Sequence, residues 1–68
     1  MLQSIIFPRD TWTAGAVYLW LRQNSLKYKK VYVLPTHFCC EIRRARAGNR
    51  YEWRPIRYGV VLVLEFAR

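Results

Sequence analysis

The side chains best suited to chemistry in this chain are arginines and aromatic rings mixed together in its C-terminal half. Between positions 43 and 57, six arginines stand against a single acid, Glu52. The arginines are Arg43, Arg44, Arg46, Arg50, Arg54 and Arg57, and the aromatic residues among or beside them are Tyr51, Trp53 and Tyr58. Guanidinium groups pair with phosphate bidentately, and an aromatic ring contributes about 1–3 kcal/mol per stacked base. The segment therefore predicts a nucleic-acid-binding surface, and its mixed character favours a single strand or an RNA loop.

The same residues also have a purely structural interpretation. Aromatic rings dominate the energetics of small cores, so Trp53 and Tyr58 could close the core while the arginines only solvate its edges. The binding interpretation requires the guanidinium groups to gather on one common face. The structural one leaves them dispersed, each neutralised by its own neighbour.

A second basic cluster follows the predicted helix and consists of Lys27, Lys29 and Lys30. These lysines either extend the nucleic-acid-binding surface or complement the helix dipole, for about 0.3–1 kcal/mol each. Whether they share a face with the arginines depends on the order of the strands, which the sequence leaves open.

The charge of the whole chain favours a negatively charged partner. Twelve Lys and Arg residues face four acids, which gives a net charge of +8 and a pI near 10.2. Such an excess attracts phosphate, and DNA or RNA is the first expectation for a partner. The alternatives are the acidic surface of another protein, and surface charge that serves only solubility. Apolar residues make up 53% of the chain and aromatic residues 16%, as expected of a folded domain and not of a basic tail.

Enzymatic chemistry finds little support in the sequence. The acids are scattered, and His37 has no second histidine or Cys-x-x-Cys motif with which to form a metal site. Cys39 and Cys40 are adjacent, so in a strand they point to opposite faces and do not form a disulfide with each other. The glycines lie too far apart for a phosphate-binding loop. We expect a protein that is not an enzyme and has no cofactor and no metal.

The elements that must position these residues begin with a strand and a helix. Residues Leu2 to Phe7 form an apolar, β-branched run closed by Pro8, which predicts a strand. Thr13 is a good N-cap, and the residues from about Ala14 to about Gln23 favour a helix. Its apolar spacing predicts that Val17, Trp20 and Leu21 face a sheet.

The rest of the chain favours strands. Residues Val31 to Leu34 and Phe38 to Ala45 suggest a hairpin, Tyr51 to Ile56 is ambiguous between a strand and a loop, and Gly59 to Phe66 is the strongest strand prediction. The predicted fold class is α+β in the order β-α-β-β-β, with one helix packed on a mostly antiparallel sheet of three to four strands. Residues 1–68 form a single domain.

Three motifs resemble a small, poorly characterised domain of tailed phages and large or mid-sized eukaryotic DNA viruses, sometimes attached to head-maturation protease proteins in phages. They are Ser4-Ile5-Ile6-Phe7-Pro8-Arg9 with Trp12-Thr13; Trp20-Leu21-Arg22 followed by Lys29-Lys30-Val31; and Trp53-Arg54-Pro55-Ile56-Arg57 followed by Gly59 to Leu64. Two departures stand out. The middle strand keeps chiefly Ile42 and Arg43 of an aromatic-arginine alternation, and Glu65 replaces a glycine. The resemblance implies a viral or phage origin and a role in or near a virion, without a biochemical activity.

Together these observations give one leading hypothesis and two alternatives. The first is a basic virion or nucleoprotein component that binds nucleic acid nonspecifically through the arginine segment. The second is a minor capsid or scaffold protein-interaction module, and the third is a small basic subunit of a ribosome-like assembly. The apolar segments Leu2 to Phe7 and Gly59 to Leu64 also predict docking or a homo-oligomer.

The expected location follows from the absence of sorting signals. The N-terminal apolar stretch ends at Pro8 without a cleavage site, and the run from Gly59 to Leu64 is too short to cross a bilayer. We expect a virion protein or one inside the host cell, in the cytoplasm or nucleus, which is neither secreted nor in contact with a membrane.

Overall fold

The computed structural model describes all 68 residues, and it contains one helix and five strands. The elements are β1 (Leu2–Pro8), α1 (Ala14–Gln23), β2 (Lys30–Val33), β3 (His37–Glu41), β4 (Arg50–Pro55) and β5 (Val61–Phe66), with a 3-10 turn (Arg57–Gly59) between the last two strands. The predicted α+β class, with one helix on an antiparallel sheet, is confirmed.

The sheet has the order β2-β3-β1-β5-β4, and every neighbouring pair is antiparallel. The two strands richest in apolar residues, β1 and β5, lie side by side in its interior. The short β2 and the charged β4 form the two edges of the sheet. Each pairs with only one neighbouring strand, so fewer of its residues need to be apolar.

The helix α1 begins and ends as its capping residues dictate. Thr13 is the N-cap, and its Oγ1 accepts a hydrogen bond from the backbone N–H of Ala16 at 3.1 Å. At the other end Ser25 takes a positive φ of 53°, and Leu26 N–H donates to the Leu21 carbonyl at 3.0 Å. These are features of a Schellman motif. Asn24 is the C-cap, and Ser25 after it takes the left-handed conformation.

One apolar core lies between α1 and the sheet. Val17 and Leu21 of the helix are fully buried against Ile5, Phe7 and other residues of the sheet. The fully buried or nearly buried members from β3 and the start of β5 are Phe38, Cys40 and Val60. The predicted helix face is therefore confirmed.

Two strand predictions change in the structure. The ambiguous segment is a strand, β4, which raises the number of strands to five. The strand predicted over residues 38 to 45 ends at Glu41, because β1 is irregular between Leu2 and Ser4 and the N–H groups of Ile42 and Arg43 both turn to the Gln3 carbonyl. No helix in the structure has the length and apolarity needed to cross a membrane.

Candidate nucleic-acid interface

One side of the sheet is covered by α1, and the other side has no second layer. Ile5 and Phe7 of β1 pack against the helix, so the alternate residues Ser4 and Ile6 point away from it. We call this uncovered side the open face. Because the strands are in register, every strand contributes side chains to it.

A row of uncharged side chains crosses the middle of the open face from edge to edge. Backbone pairing places one residue of each strand in this central row, which in sheet order contains Tyr32, Cys39, Ile6, Val61 and Pro55. Four strand spacings of about 4.8 Å make the row roughly 19 Å long. A continuous apolar surface of this kind is typical of a binding site.

The neighbouring row carries charge at one end and a large aromatic ring at the other. In sheet order it contains Lys30, Glu41, Ser4, Val63 and Trp53. Trp53 lies opposite Val63, and its side chain is 67% exposed while Val63 is only 6% exposed. The indole therefore lies at the β4 edge of the open face with most of its surface open to solvent.

The β2 edge of the open face carries a second exposed ring. Tyr32 is 39% exposed, and Lys30 Nζ lies 4.8 Å from the centre of its ring. A cation beside an aromatic ring is the combination of residue types that the arginine segment also contains. Here it occurs at the β2 edge, opposite β4. Tyr32 was not among the predicted stacking residues, because it lies outside the arginine-rich segment between positions 43 and 57.

Glu65 lies on the open side of β5 and fixes the connection between β3 and β4. Its side chain is only 3% exposed, and Oε2 accepts hydrogen bonds from the Arg46 backbone N–H, the Asn49 side-chain amide and the Tyr51 hydroxyl, at 2.9 to 3.0 Å. Arg43 Nε lies 3.6 Å from Oε1. One carboxylate thus holds four residues of the arginine-rich segment in place.

These hydrogen bonds change the acidity of the groups that form them. The Arg46 backbone N–H, followed by the Asn49 amide, holds the pKa of Glu65 below its usual value, because both stabilise the charged carboxylate. Burial and the bond to Glu65 raise the pKa of Tyr51. Tyr51 is half-buried, and its single hydroxyl proton is shared between Glu65 Oε2 and the Arg46 carbonyl oxygen 2.8 Å away, so Tyr51 supports the loop.

The arginines of β4 lie on the helix side of the sheet. Arg54 is paired with Leu62, which lies opposite Ile5 on the covered side, and Arg50 shares that side by alternation. Glu52 lies between them, with its carboxylate oxygens 3.5 Å from Arg50 and 3.7 Å from Arg54. Both guanidinium groups are more than 60% exposed, so these ion pairs are weak surface contacts.

The expectation that all six arginines share one face is therefore wrong, and a binding surface on one face of the sheet cannot contain all six. Alternation along β4 sends Arg50 and Arg54 to one side and Trp53 to the other. Arg43 lies on the open side beside Glu65, Arg44 and Arg46 are exposed in the β3–β4 loop, and Arg57 is exposed in the 3-10 turn. Arg43, Arg44 and Arg46 lie within four residues of one another after β3, and Arg43 lies on the open side beside Glu65.

The strand order also places the lysine cluster. Lys30 is on β2, and Lys27 and Lys29 are exposed in the connection before it, at the edge of the sheet opposite β4. The lysines and the β4 aromatic residue therefore lie at the two ends of the open face and not in one cluster.

The remaining reactive groups are ordinary thiols and isolated acids. Cys39 and Cys40 are free and point to opposite sides of the sheet. Burial raises the pKa of Cys40 to about 11 and also raises that of Cys39, so both thiols are protonated and weakly nucleophilic at neutral pH. No three His, Cys, Asp or Glu side chains are close enough together to hold a metal ion.

Tyr58, the last of the predicted stacking residues, lies at the tip of the β4–β5 hairpin. It is 76% exposed, with a positive φ of 62°.

A scan against protein-family models finds no match, and searches of the curated proteins and of the solved structures find no significant similarity.

Proposed function

We propose that this chain binds single-stranded nucleic acid across the open face, with the bases against the sheet and the phosphates toward its basic rim. The observation that carries the proposal is the exposed indole of Trp53 at the β4 edge of the open face, next to the uncharged central row. Single-stranded nucleic acid is bound by flat surfaces that combine aromatic rings with cations, because every base has a face on which a ring can stack.

The charge distribution supports a ligand with phosphates along its length. Lys30 lies at the β2 edge of the open face next to Glu41, Arg43 lies on the open side against Glu65, and Arg44 and Arg46 are exposed in the β3–β4 loop. Phosphate contacts are not base-specific, so the binding is nonspecific in sequence. A net charge of +8 strengthens the encounter with any polyanion.

The test is a filter-binding titration with single-stranded DNA and RNA oligonucleotides on the wild type and on Trp53→Ala. Loss of one stacked base predicts an affinity lower by roughly 5- to 150-fold, from about 1–3 kcal/mol. Trp53 is exposed, so the variant should remain folded. Tyr18→Ala is the matched control, because Tyr18 is an exposed ring on the helix side, and it should bind as the wild type does. Equal affinity of all three proteins would overturn the proposal.

Two double variants separate phosphate contact from overall charge. Arg44→Ala with Arg46→Ala removes two cations beside the open face, and Arg50→Ala with Arg54→Ala removes two from the other side. For a single strand each lost phosphate contact reduces the slope of log K against log salt by about 0.7. We expect a decrease of about 1.4 in the first variant and a smaller one in the second; the reverse order would place the ligand on the helix side.

A second candidate function is docking of a protein with an acidic, partly apolar surface. The observation that favours it is the central row, in which no side chain is charged and four residues are not aromatic. In this case Trp53→Ala would abolish a stable complex with a coat or scaffold protein, while oligonucleotide affinity would be weak and independent of length.

The place of action is a further part of the proposal. The resemblance to a phage and viral domain supports a role in or near a virion, and the basic charge is suited to contact with a packaged genome or a nucleoprotein particle. Mass spectrometry of purified particles tests this directly. Co-purification with the genome supports nucleic-acid binding, and co-purification with empty capsids supports docking on a capsid protein.

A further inference from the structure

A cleft at the end of the sheet plays no part in the function proposed for the open face. It has a volume of about 610 Å³ and is lined by Pro8, Asp10, Thr11, Trp12, Tyr58 and Gly59. Sites for small ligands commonly have volumes of about 300–1,000 Å³. Pro8 follows Ile6 on the same side of β1, so the cleft lies next to the central row. We call it the Tyr58 cleft.

One wall of the Tyr58 cleft is a turn in a backbone conformation that is unfavourable for its sequence. Arg57 to Val60 form a turn in which both central residues have positive φ, 62° at Tyr58 and 74° at Gly59, and Val60 N–H donates to the Arg57 carbonyl. This is the type I′ pattern, which favours Asn-Gly and is unusual for an aromatic residue.

The surroundings hold this turn in place without burying the tyrosine ring. Trp12 Nε1–H donates to the Tyr58 carbonyl at 3.0 Å. A Cβ at position 59 would lie 3.0 Å from Pro8 Cγ, so the turn is packed directly on β1. The ring nevertheless remains 76% exposed. Strained backbone that presents an exposed side chain is a feature of binding sites.

The acid in the cleft is free of cations. Glu52 and Glu65 lie beside arginines, whereas Asp10 forms no ion pair. Its neighbour Arg9 donates instead to the Leu34 carbonyl at 2.8 Å and lies over the Phe38 ring. An unpaired carboxylate repels phosphate but accepts hydrogen bonds from the N–H groups on the edge of a base.

We propose that the Tyr58 cleft binds one nucleobase of the strand on the open face. The base stacks on Tyr58 and Trp12, and its N–H groups donate to Asp10. Guanine is the preferred base, because its ring N–H and its amino group are adjacent donors that match the two oxygens of a carboxylate. This inference rests on the proposed function and adds a base preference to an otherwise nonspecific contact.

The experiment is an NMR titration of the folded chain with nucleoside 5′-monophosphates, followed at the indole N–H signal of Trp12. All four monophosphates carry the same phosphate and sugar, so differences among them report on the base. We expect GMP to shift this signal saturably and to bind at least tenfold more tightly than UMP. Equal binding of all four, or no shift, would overturn the inference.

Two variants and one control identify the groups responsible. Asp10→Asn should reduce the affinity for GMP about tenfold and remove most of the preference over UMP, and Tyr58→Gly should remove the stacking ring while keeping a turn that glycine favours. Tyr18→Ala removes an exposed ring on the helix side and should bind GMP unchanged. If argininamide shifts the Trp12 signal and GMP does not, the cleft binds a cationic side chain and the inference is wrong.

The outcomes also separate this inference from the proposed function. Oligonucleotide binding that depends on Trp53 but shows no GMP shift at Trp12 would remove the base site and leave the open-face proposal intact. A GMP shift without any oligonucleotide binding would overturn the proposed function and leave a mononucleotide site.

Discussion

At the scale of single residues, Glu65 is the side chain on which the position of the arginine-rich loop depends most directly. It is nearly buried and accepts three hydrogen bonds from residues 46, 49 and 51. Its pKa in the folded chain lies below its usual value of 4.5, chiefly because of the Arg46 backbone N–H. The unfolded chain therefore takes up this proton at a higher pH than the folded chain does. Glu65 stabilises the fold above about pH 4.5, and this stabilisation is lost as the pH falls through the lower, folded pKa.

The variant Glu65→Gln tests this linkage. We expect a lower melting temperature than the wild type at pH 7, and a difference that narrows as the pH falls from 5 to 3. Thermal unfolding followed by circular dichroism at several pH values measures it. Glu52→Gln is the control, because Glu52 is half-exposed and its arginine partners are on the surface. If Glu65→Gln and the wild type lose stability in parallel with acid, the carboxylate is not the responsible group.

The sequence alone could not identify this role of Glu65. The residue lies in an apolar run that predicts a strand, and a lone acid there is normally assigned to the solvent side. Its partners are 14 to 19 residues away and are brought to it only by the β4–β5 pairing. The arginines were visible in the sequence, but the residue that fixes their loop was not.

At the scale of elements, the predictions succeeded where one side of an element is buried in the core. The helix bounds and the Thr13 cap could be predicted, because capping and apolar spacing are local properties. The strand β4 could not be predicted from the sequence. It is an edge strand, with charged side chains on one face and aromatic rings on the other. Neither side has the apolar alternation that identifies a half-buried strand.

The end of α1 gives a prediction at this scale. Ser25 takes the left-handed conformation in the Schellman motif, and this conformation is unfavourable for any residue with a Cβ. Ser25→Gly should therefore stabilise the protein by about 0.5–1 kcal/mol, less than the full strain because glycine also gains freedom in the unfolded chain. Urea unfolding measures the change. Ser25→Ala is the matched control and should give no stabilisation; equal stabilisation by both would rule out relief of backbone strain.

At the scale of the whole molecule, we expect self-association and nucleic-acid binding to respond to salt in opposite directions. The face offers an uncharged central row, which favours a second copy of the chain, while a net charge of +8 keeps copies apart. Salt screens this repulsion, since the Debye length is about 10 Å at 0.1 M and about 3 Å at 1 M. Binding to a nucleic acid depends on the release of counterions and weakens as salt rises.

Sedimentation velocity at 50 mM and 500 mM NaCl distinguishes the two kinds of association. We expect a monomer at low salt, some self-association at high salt, and complexes with a single-stranded oligonucleotide only at low salt. Trp53→Ala should weaken both, because the indole lies on the open face, the surface proposed for both partners. A clean monomer at every salt concentration would exclude the homo-oligomer. Association of the Trp53→Ala variant equal to that of the wild type would show that the copies meet elsewhere, and the exposed edges β2 and β4 would then be the next surfaces to examine.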